Sequence, residues 1–276
     1  MREIPRPDYE YEIAHLVSAY KRAVSDILRE LERLDLTDIS RAQAQAALAE
    51  VARILASLNE ESAAWVAANI PKAATDGVAA AIFALGVAET FEEARSIAKF
   101  NRMNRAMVDA VIADTQADLL AVTQNVERKV RAAVRQVTAD SMRANMARGV
   151  NGRRTISRDI LDGLRKKLGD SVNTGIVDAA GRRWRPEVYV DMVTRTKTME
   201  AHMEATINEG VAREAFYGVI SRHGATDACR NWEGKVVKLV PDAPGNYPYL
   251  GDLRGGREIF HPNCKHVVTP VRKPVE

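Results

Sequence analysis

Residues 119–137 read LLAVTQNVERKVRAAVRQV. Leu119, Val122, Val126, Val130, Val134 and Val137 step by threes and fours, so on an α-helix they form one apolar stripe about five turns long. A strand would need strict alternation, which this run lacks. The spacing predicts a long helix from about Asn104 to Arg148, with Gly149 and Gly152 as its stop.

Working toward the N-terminus, the same texture continues. Ile13, Leu16, Tyr20, Val24, Ile27, Leu31 and Leu34 mark an amphipathic helix over residues 9–34, with Arg22, Asp26, Arg29 and Arg33 on its other face. Ser40 and Gln43 form a capping box, so a second helix starts there, its apolar face carrying Leu48, Val51, Leu55 and Leu58. The short connection predicts an antiparallel helix pair. Residues 61–70 read as a short helix, and Pro71 as the first turn of a new one. Thr90 and Glu93 form another capping box.

Composition agrees with this reading. Of 276 residues, 46% are hydrophobic and 28% charged, which places the chain among globular proteins, and aromatics are only 5%. With alanine abundant in the first half, thin and closely packed helices are expected. The net charge of +3 does not by itself imply nucleic acid, but residues 151–198 hold 11 Lys and Arg against 6 Asp and Glu. That stretch suits DNA, an acidic protein surface or plain solvent. No apolar run approaches the roughly 20 residues that span a bilayer, and the start shows no signal peptide. A cytoplasmic setting with reduced cysteines is expected unless they bind metal.

Beyond residue 150 glycine, proline, tryptophan and β-branched residues become commoner. Residues 155–168 suggest a short helix, 176–184 a strand, turn and strand, and 186–215 a helix begun by Pro186. Residues 216–221 and 235–239 are the strand candidates, with a loop at 241–246, and Phe260 and then residues 267–271 close the chain. The expected architecture is α+β: a mainly helical N-terminal region, 1–150, and a smaller mixed domain, 151–276. Arg195 is expected to pair with a carboxylate inside the domain, and Trp232 with Gly234 to form a turn that packs an indole against the nearby loops.

The chemistry concentrates late in the chain. Both cysteines and three of the five histidines lie beyond Arg222: His223, Cys229, His261, Cys264 and His266. Two ligands from each of two separated loops is how a structural zinc site closes a small domain. Two other readings stand beside it. The cysteines can be an unliganded buried pair, with the histidines bonded to loop carbonyls, or a Cys-His pair can act as nucleophile and base in a hydrolase or nuclease. The sequence contains no phosphate loop, no dinucleotide fingerprint and no H-E-x-x-H, so an ATP-driven motor is not expected.

Three motifs carry a family resemblance. The run from Gly181 to Thr196, and the later Ser221-Arg222-His223-Gly224-Ala225 with Trp232-Glu233-Gly234-Lys235-Val236, resemble the phage minor capsid protein 2 family. The ending Phe260-His261-Pro262-Asn263-Cys264-Lys265-His266 resembles the H-P-N-C-R-[CH] signature of Mu F-like head morphogenesis proteins. The motifs lie in order between about Asp170 and Arg272. Where the Mu-like group often has C-x-x-C before the tryptophan, this chain has Thr226 three residues before Cys229, and His223 takes the missing ligand's part. His266 replaces the last cysteine.

The resemblance implies a structural minor head protein of a tailed bacteriophage, not an enzyme. Such a protein is oligomeric in the virion and assembled in the host cytoplasm. It sits near the portal, in contact with portal or major capsid protein and with packaged DNA, and assists head assembly or DNA delivery. It also implies a structural zinc site of His223, Cys229, Cys264 and His266, with His261 behind it as a supporting or turn-capping group. No membrane partner is expected, and Glu276 follows Cys264 too soon for an appended enzyme domain. A Cys/His-site hydrolase or nuclease and a DNA-binding module are the alternatives.

Overall fold

Helix α1 (Glu10–Glu32) buries the stripe expected of it, with Ile13, Leu16, Tyr20, Ile27 and Leu31 each at most 2% exposed. The computed structural model describes residues 2, 4–151, 158–173, 176–177, 181–256, 259–261 and 264–274. Among them, α1 is followed by α2 (Arg41–Ala84), α3 (Phe91–Ile97), α4 (Arg102–Asn151), α5 (Arg158–Asn173), β1 (Ile176–Val177), β2 (Arg183–Trp184) and α6 (Pro186–Ala212). Then come β3 (Tyr217–Ile220), a 3₁₀ turn (Ala228–Trp232), β4 (Val236–Lys238), α7 (Leu250–Gly256) and β5 (Val268–Val271). The fold is α+β, mainly helical, with a two-stranded and a three-stranded antiparallel sheet. Among the described residues no helix is long and apolar enough to cross a membrane.

The Ser40 capping box forms in full and the Thr90 one in half. Ser40 Oγ accepts from the Gln43 amide at 3.1 Å while Gln43 Oε1 accepts from the Ser40 amide at 2.8 Å. Thr90 Oγ1 accepts from the Glu93 amide at 3.1 Å, but Glu93 reaches back to the amide of Glu89, at 2.8 Å.

Two expected breaks are absent. Pro71 lies inside α2, not at the start of a new helix. A proline there removes one backbone hydrogen bond, but Ile70, Ala73 and Ala74 around it are fully buried, and their packing holds the helix together. Gly149 lies within α4, which continues to Asn151; Gly152 and residues 155–157 lie outside the described residues. Neither α7 nor the 3₁₀ turn was expected from the sequence.

By compactness the chain forms two units, each discontinuous in sequence. One comprises Ile13–Trp65 and Gln116–Asp191. In it α1 and α2 run antiparallel: Ser62 donates to Tyr20 Oη at 3.2 Å and Arg22 pairs with Glu61 at 3.1 Å, and later residues of α1 meet earlier ones of α2. The valine stripe of α4 lies against this pair. Thr123 Oγ1 donates to Asn59 at 2.7 Å and Ser141 Oγ to the Leu36 carbonyl at 2.8 Å. Leu164, Leu168 and Val172 of α5 join the same core.

The other unit comprises Met1–Glu12, Val66–Thr115 and Met192–Glu276. Here α2 contributes an alanine-rich run in which residues 78–82 are at most 1% exposed. Small residues let backbones approach. A Cβ on Gly77 would collide with the carbonyl oxygen of His202 on α6, so glycine is required for this packing. The three-stranded sheet, ordered β4-β3-β5, shares a core with Met203 and Ile207 of α6. Arg195 does pair with a carboxylate, but that of Glu10, which lies in this unit and not within residues 151–276 as expected.

Candidate metal centre

Strand register explains how residues some 40 positions apart meet. β3 and β5 pair antiparallel up to Ile220↔Val268. The pairing continues past the strand ends, with Ser221 N–H donating to the Val267 carbonyl at 2.9 Å and Val267 N–H to Ser221 Oγ at 3.0 Å. His223 and His266 therefore leave adjacent strand ends side by side. Their ring centroids are 4.1 Å apart, and His223 Nε2 lies 3.2 Å from His266 Nδ1.

The cysteines are placed by short turns. Asp227 caps the 3₁₀ turn by accepting from the Cys229 amide at 3.1 Å. The exit of that turn is tied to β3, because Gly234 N–H donates to the Ile220 carbonyl at 2.9 Å and Ile220 N–H to the Lys235 carbonyl at 3.0 Å. Gly234 has φ +76°, and a side chain there would run into the Arg222 guanidinium. Trp232 packs on the core of this unit, with Lys235 Nζ 4.7 Å from its ring centroid. On the other loop, Cys264 N–H donates to the His261 carbonyl at 2.9 Å. Cys229 Sγ and Cys264 Sγ lie 3.9 Å apart, and Cys264 Sγ lies 3.3 Å from His266 Nδ1.

The expected ligand atoms thus form a chain from Cys229 to Cys264 to His266 to His223, with steps of 3.9, 3.3 and 3.2 Å. A tetrahedral zinc with bonds of about 2.3 Å to sulfur and 2.0–2.1 Å to nitrogen separates two sulfurs by about 3.8 Å and two nitrogens by about 3.3 Å. Pair by pair these steps suit ligands of one ion, but the groups whose donor atoms all lie within 4.8 Å of one another are two trios, Cys229–His261–Cys264 and His223–Glu233–His266, so the four expected ligands are divided between two neighbouring clusters. His261 also reaches the cluster, its Nε2 3.0 Å from Cys229 Sγ and 3.2 Å from Asp227 Oδ2.

Two carboxylates that sequence reasoning missed complete the site. Glu233 Oε1 accepts from the amides of His223 at 2.9 Å and Ala225 at 3.0 Å, and lies 3.3 Å from His266 Nε2. Those backbone donors hold its carboxyl down at about 2. Asp227 does similar work beside His261. Neither carries a spacing signal; only their adjacency to ligand-type residues could have drawn attention.

Burial and then the neighbouring Cys264 push the Cys229 thiol up to about 12. Burial and then His223 hold His266 below the usual histidine range. A bound dication would reverse the first effect by favouring thiolate. Without one, a thiol pushed up is the opposite of an activated nucleophile, whose affinity for its proton is lowered. The adjoining cavity, walled by Met199, Met203 and Phe260, is about 240 Å³. That is below the roughly 300 Å³ at which ligand pockets begin.

Comparison with curated proteins and with solved structures gives no match. The family model described as phage minor capsid protein 2 matches residues 10–275, spanning the helical half as well as the three motifs. The chain belongs to the phage minor capsid protein 2 family.

Proposed function

We propose that this structural head protein works near the portal vertex of a tailed phage. It is oligomeric there and bound to portal or major capsid protein, after assembly in the host cytoplasm. In this reading it helps build the head or pass DNA through it. The functional division runs near residue 150: helical surfaces before it meet neighbouring subunits, and the mixed part after it is held by a structural zinc ion on His223, Cys229, Cys264 and His266.

The observation that carries the metal reading is the gathering of two thiols and three imidazoles, linked by contacts of 3.0–3.9 Å, with a carboxylate behind His266. Zinc would supply cross-linking of two loops that otherwise rest on few strand hydrogen bonds. The raised Cys229 thiol and the small cavity favour this staple over a hydrolase or nuclease.

Elemental analysis of protein purified without chelators tests it. About one zinc per chain is expected, lost in Cys264→Ser/His266→Ala together with C-terminal structure. Wild-type protein without metal would sink the site. Co-sedimentation with purified portal rings tests the partner, and failure to associate with portal or capsid shells would overturn the placement.

A further inference from the structure

Charge is distributed very unevenly along this chain. From Arg128 to Arg185 the sequence holds 15 Lys and Arg against 5 Asp and Glu, whereas the whole chain holds 40 against 37. This segment lies within one compact unit. Its described parts are the later turns of α4, helix α5 and the β1–β2 pair.

The structure gathers several of these cations. Lys129 of α4 and Lys167 of α5 line one shallow cleft of about 390 Å³, with Ala133, Gln136 and Asp170. Burial, then Arg183 and Arg128, hold the Lys129 ammonium below the usual lysine range, so these groups crowd one another. Arg182, Arg183 and Arg185 are exposed in succession around Trp184, and the Arg182 guanidinium lies 5.3 Å from the indole centroid. The carboxylates nearby are shared: Asp140 serves Arg143 at 2.7 Å and Lys167 at 3.8 Å.

In this arrangement crowded like charges repel one another and oppose folding. A polyanion laid on it would remove the repulsion. Twelve of the 15 cations are arginine, whose forked guanidinium matches phosphate oxygens in pairs. Single-stranded nucleic acid is bound largely by stacking bases on aromatic rings, but Trp184 is the segment's one aromatic residue and Arg182 covers it. A duplex backbone needs no such platform.

We propose that this surface binds the phosphate backbone of double-stranded DNA without sequence preference, through Lys129, Lys167, Arg182, Arg183 and Arg185. The inference rests on the virion reading only for the choice of polyanion and does not involve the metal site. A chain that binds duplex but holds no zinc sinks the metal and leaves this surface standing.

The test is fluorescence anisotropy of the full chain with a labelled duplex of mixed sequence, across about 50–200 mM salt. Affinity should fall steeply with salt, and equally for an unrelated duplex. Arg182→Ala/Arg183→Ala/Arg185→Ala should flatten the log–log slope by about 0.9 for each phosphate no longer neutralised, up to about 2.7. Lys129→Ala/Lys167→Ala, on helices, does the same without touching the β-pair, and each variant is checked for an unchanged melting midpoint. Arg29→Ala/Arg53→Ala, outside the segment, should leave the slope alone. A salt-insensitive wild type, or folded variants with unchanged slope and affinity, overturns the proposal. So does tighter binding of single strands, or of polyglutamate, which would assign the surface to a different class of partner.

Discussion

His202 offers the sharpest quantitative test of the fold. It sits on α6, 3% exposed, in the unit that also carries the Cys/His loops. The Ala73 carbonyl accepts from its ring, and Tyr9 Oη lies 3.0 Å from its Nδ1. Burial pulls the imidazole pKa from 6.5 down to about 4. A depressed histidine favours the folded state only while neutral. Its contribution is complete above the unfolded value and is lost as the pH falls from about 6.5 toward 4. At about 1.36 kcal/mol per unit, the loss reaches about 3 kcal/mol by pH 4. The perturbation is His202→Gln, which cannot titrate. Urea unfolding from pH 7 to 4 should show the wild type losing about 3 kcal/mol more than the variant. The imidazole proton resonance assigned to His202 should move with a midpoint near 4, not 6.5. A midpoint at or above 6, or a wild-type-to-variant difference that stays flat with pH, refutes the reasoning.

Other consequences can be checked separately. Glu233→Gln keeps an acceptor for the His223 and Ala225 amides but removes the charge behind His266, so zinc affinity in competition with a chromophoric chelator should drop about 10–100-fold; an unchanged affinity would show that the carboxylate does not support a metal ligand. Because Glu233 is held at about 2, its contribution to stability should be full above about pH 4.5 and fade as the pH falls toward 2, a dependence missing in the same variant. Gly77→Ala drives a methyl into the His202 carbonyl, and denaturant unfolding should show a loss of about 1–3 kcal/mol. Asn104 is fully buried, and both its side-chain polar atoms lack hydrogen-bond partners. Asn104→Leu should therefore stabilise the protein by about 1–3 kcal/mol, and a drop in stability would mean that the amide is needed where it stands.

What the sequence made legible was whatever local spacing decides. The stripe of residues 119–137, the Ser40–Gln43 and Thr90–Glu93 caps and the helix begun by Pro186 depend on residues three or four apart, and each appears. Pro71 misled because a local breaker was weighed without its packing, and α4 also runs past Gly149. Around Pro71 the neighbours are fully buried, which no window of sequence reveals. Helix α7 was invisible because its seven residues include Gly251, Gly255 and Gly256 and bury only Leu250 and Leu253. In the candidate centre, ligand-type residues were recognisable by chemistry alone. Their neighbourhood depends on the β3–β5 register, a long-range pairing, and so Glu233 and Asp227 went unnoticed.

The two carboxylates also bear on which histidines would meet a metal. A histidine nitrogen that donates its proton cannot bind an ion, so the acceptor beside each ring selects the free nitrogen. Glu233 lies against His266 Nε2, the nitrogen away from the sulfurs, and this frees Nδ1, which points at Cys264 Sγ. Asp227 lies against His261 Nε2, the same nitrogen that faces Cys229 Sγ, and so engages the atom a metal would need. On this tautomer argument His266 would be the ligand and His261 the support, whereas mutual distance groups His261 with both thiols. In that arrangement His261→Ala should retain about one zinc per chain with weakened affinity, while His266→Ala should lose it. Retention by His266→Ala and loss by His261→Ala would invert the assignment and place the ion between the two thiols and His261.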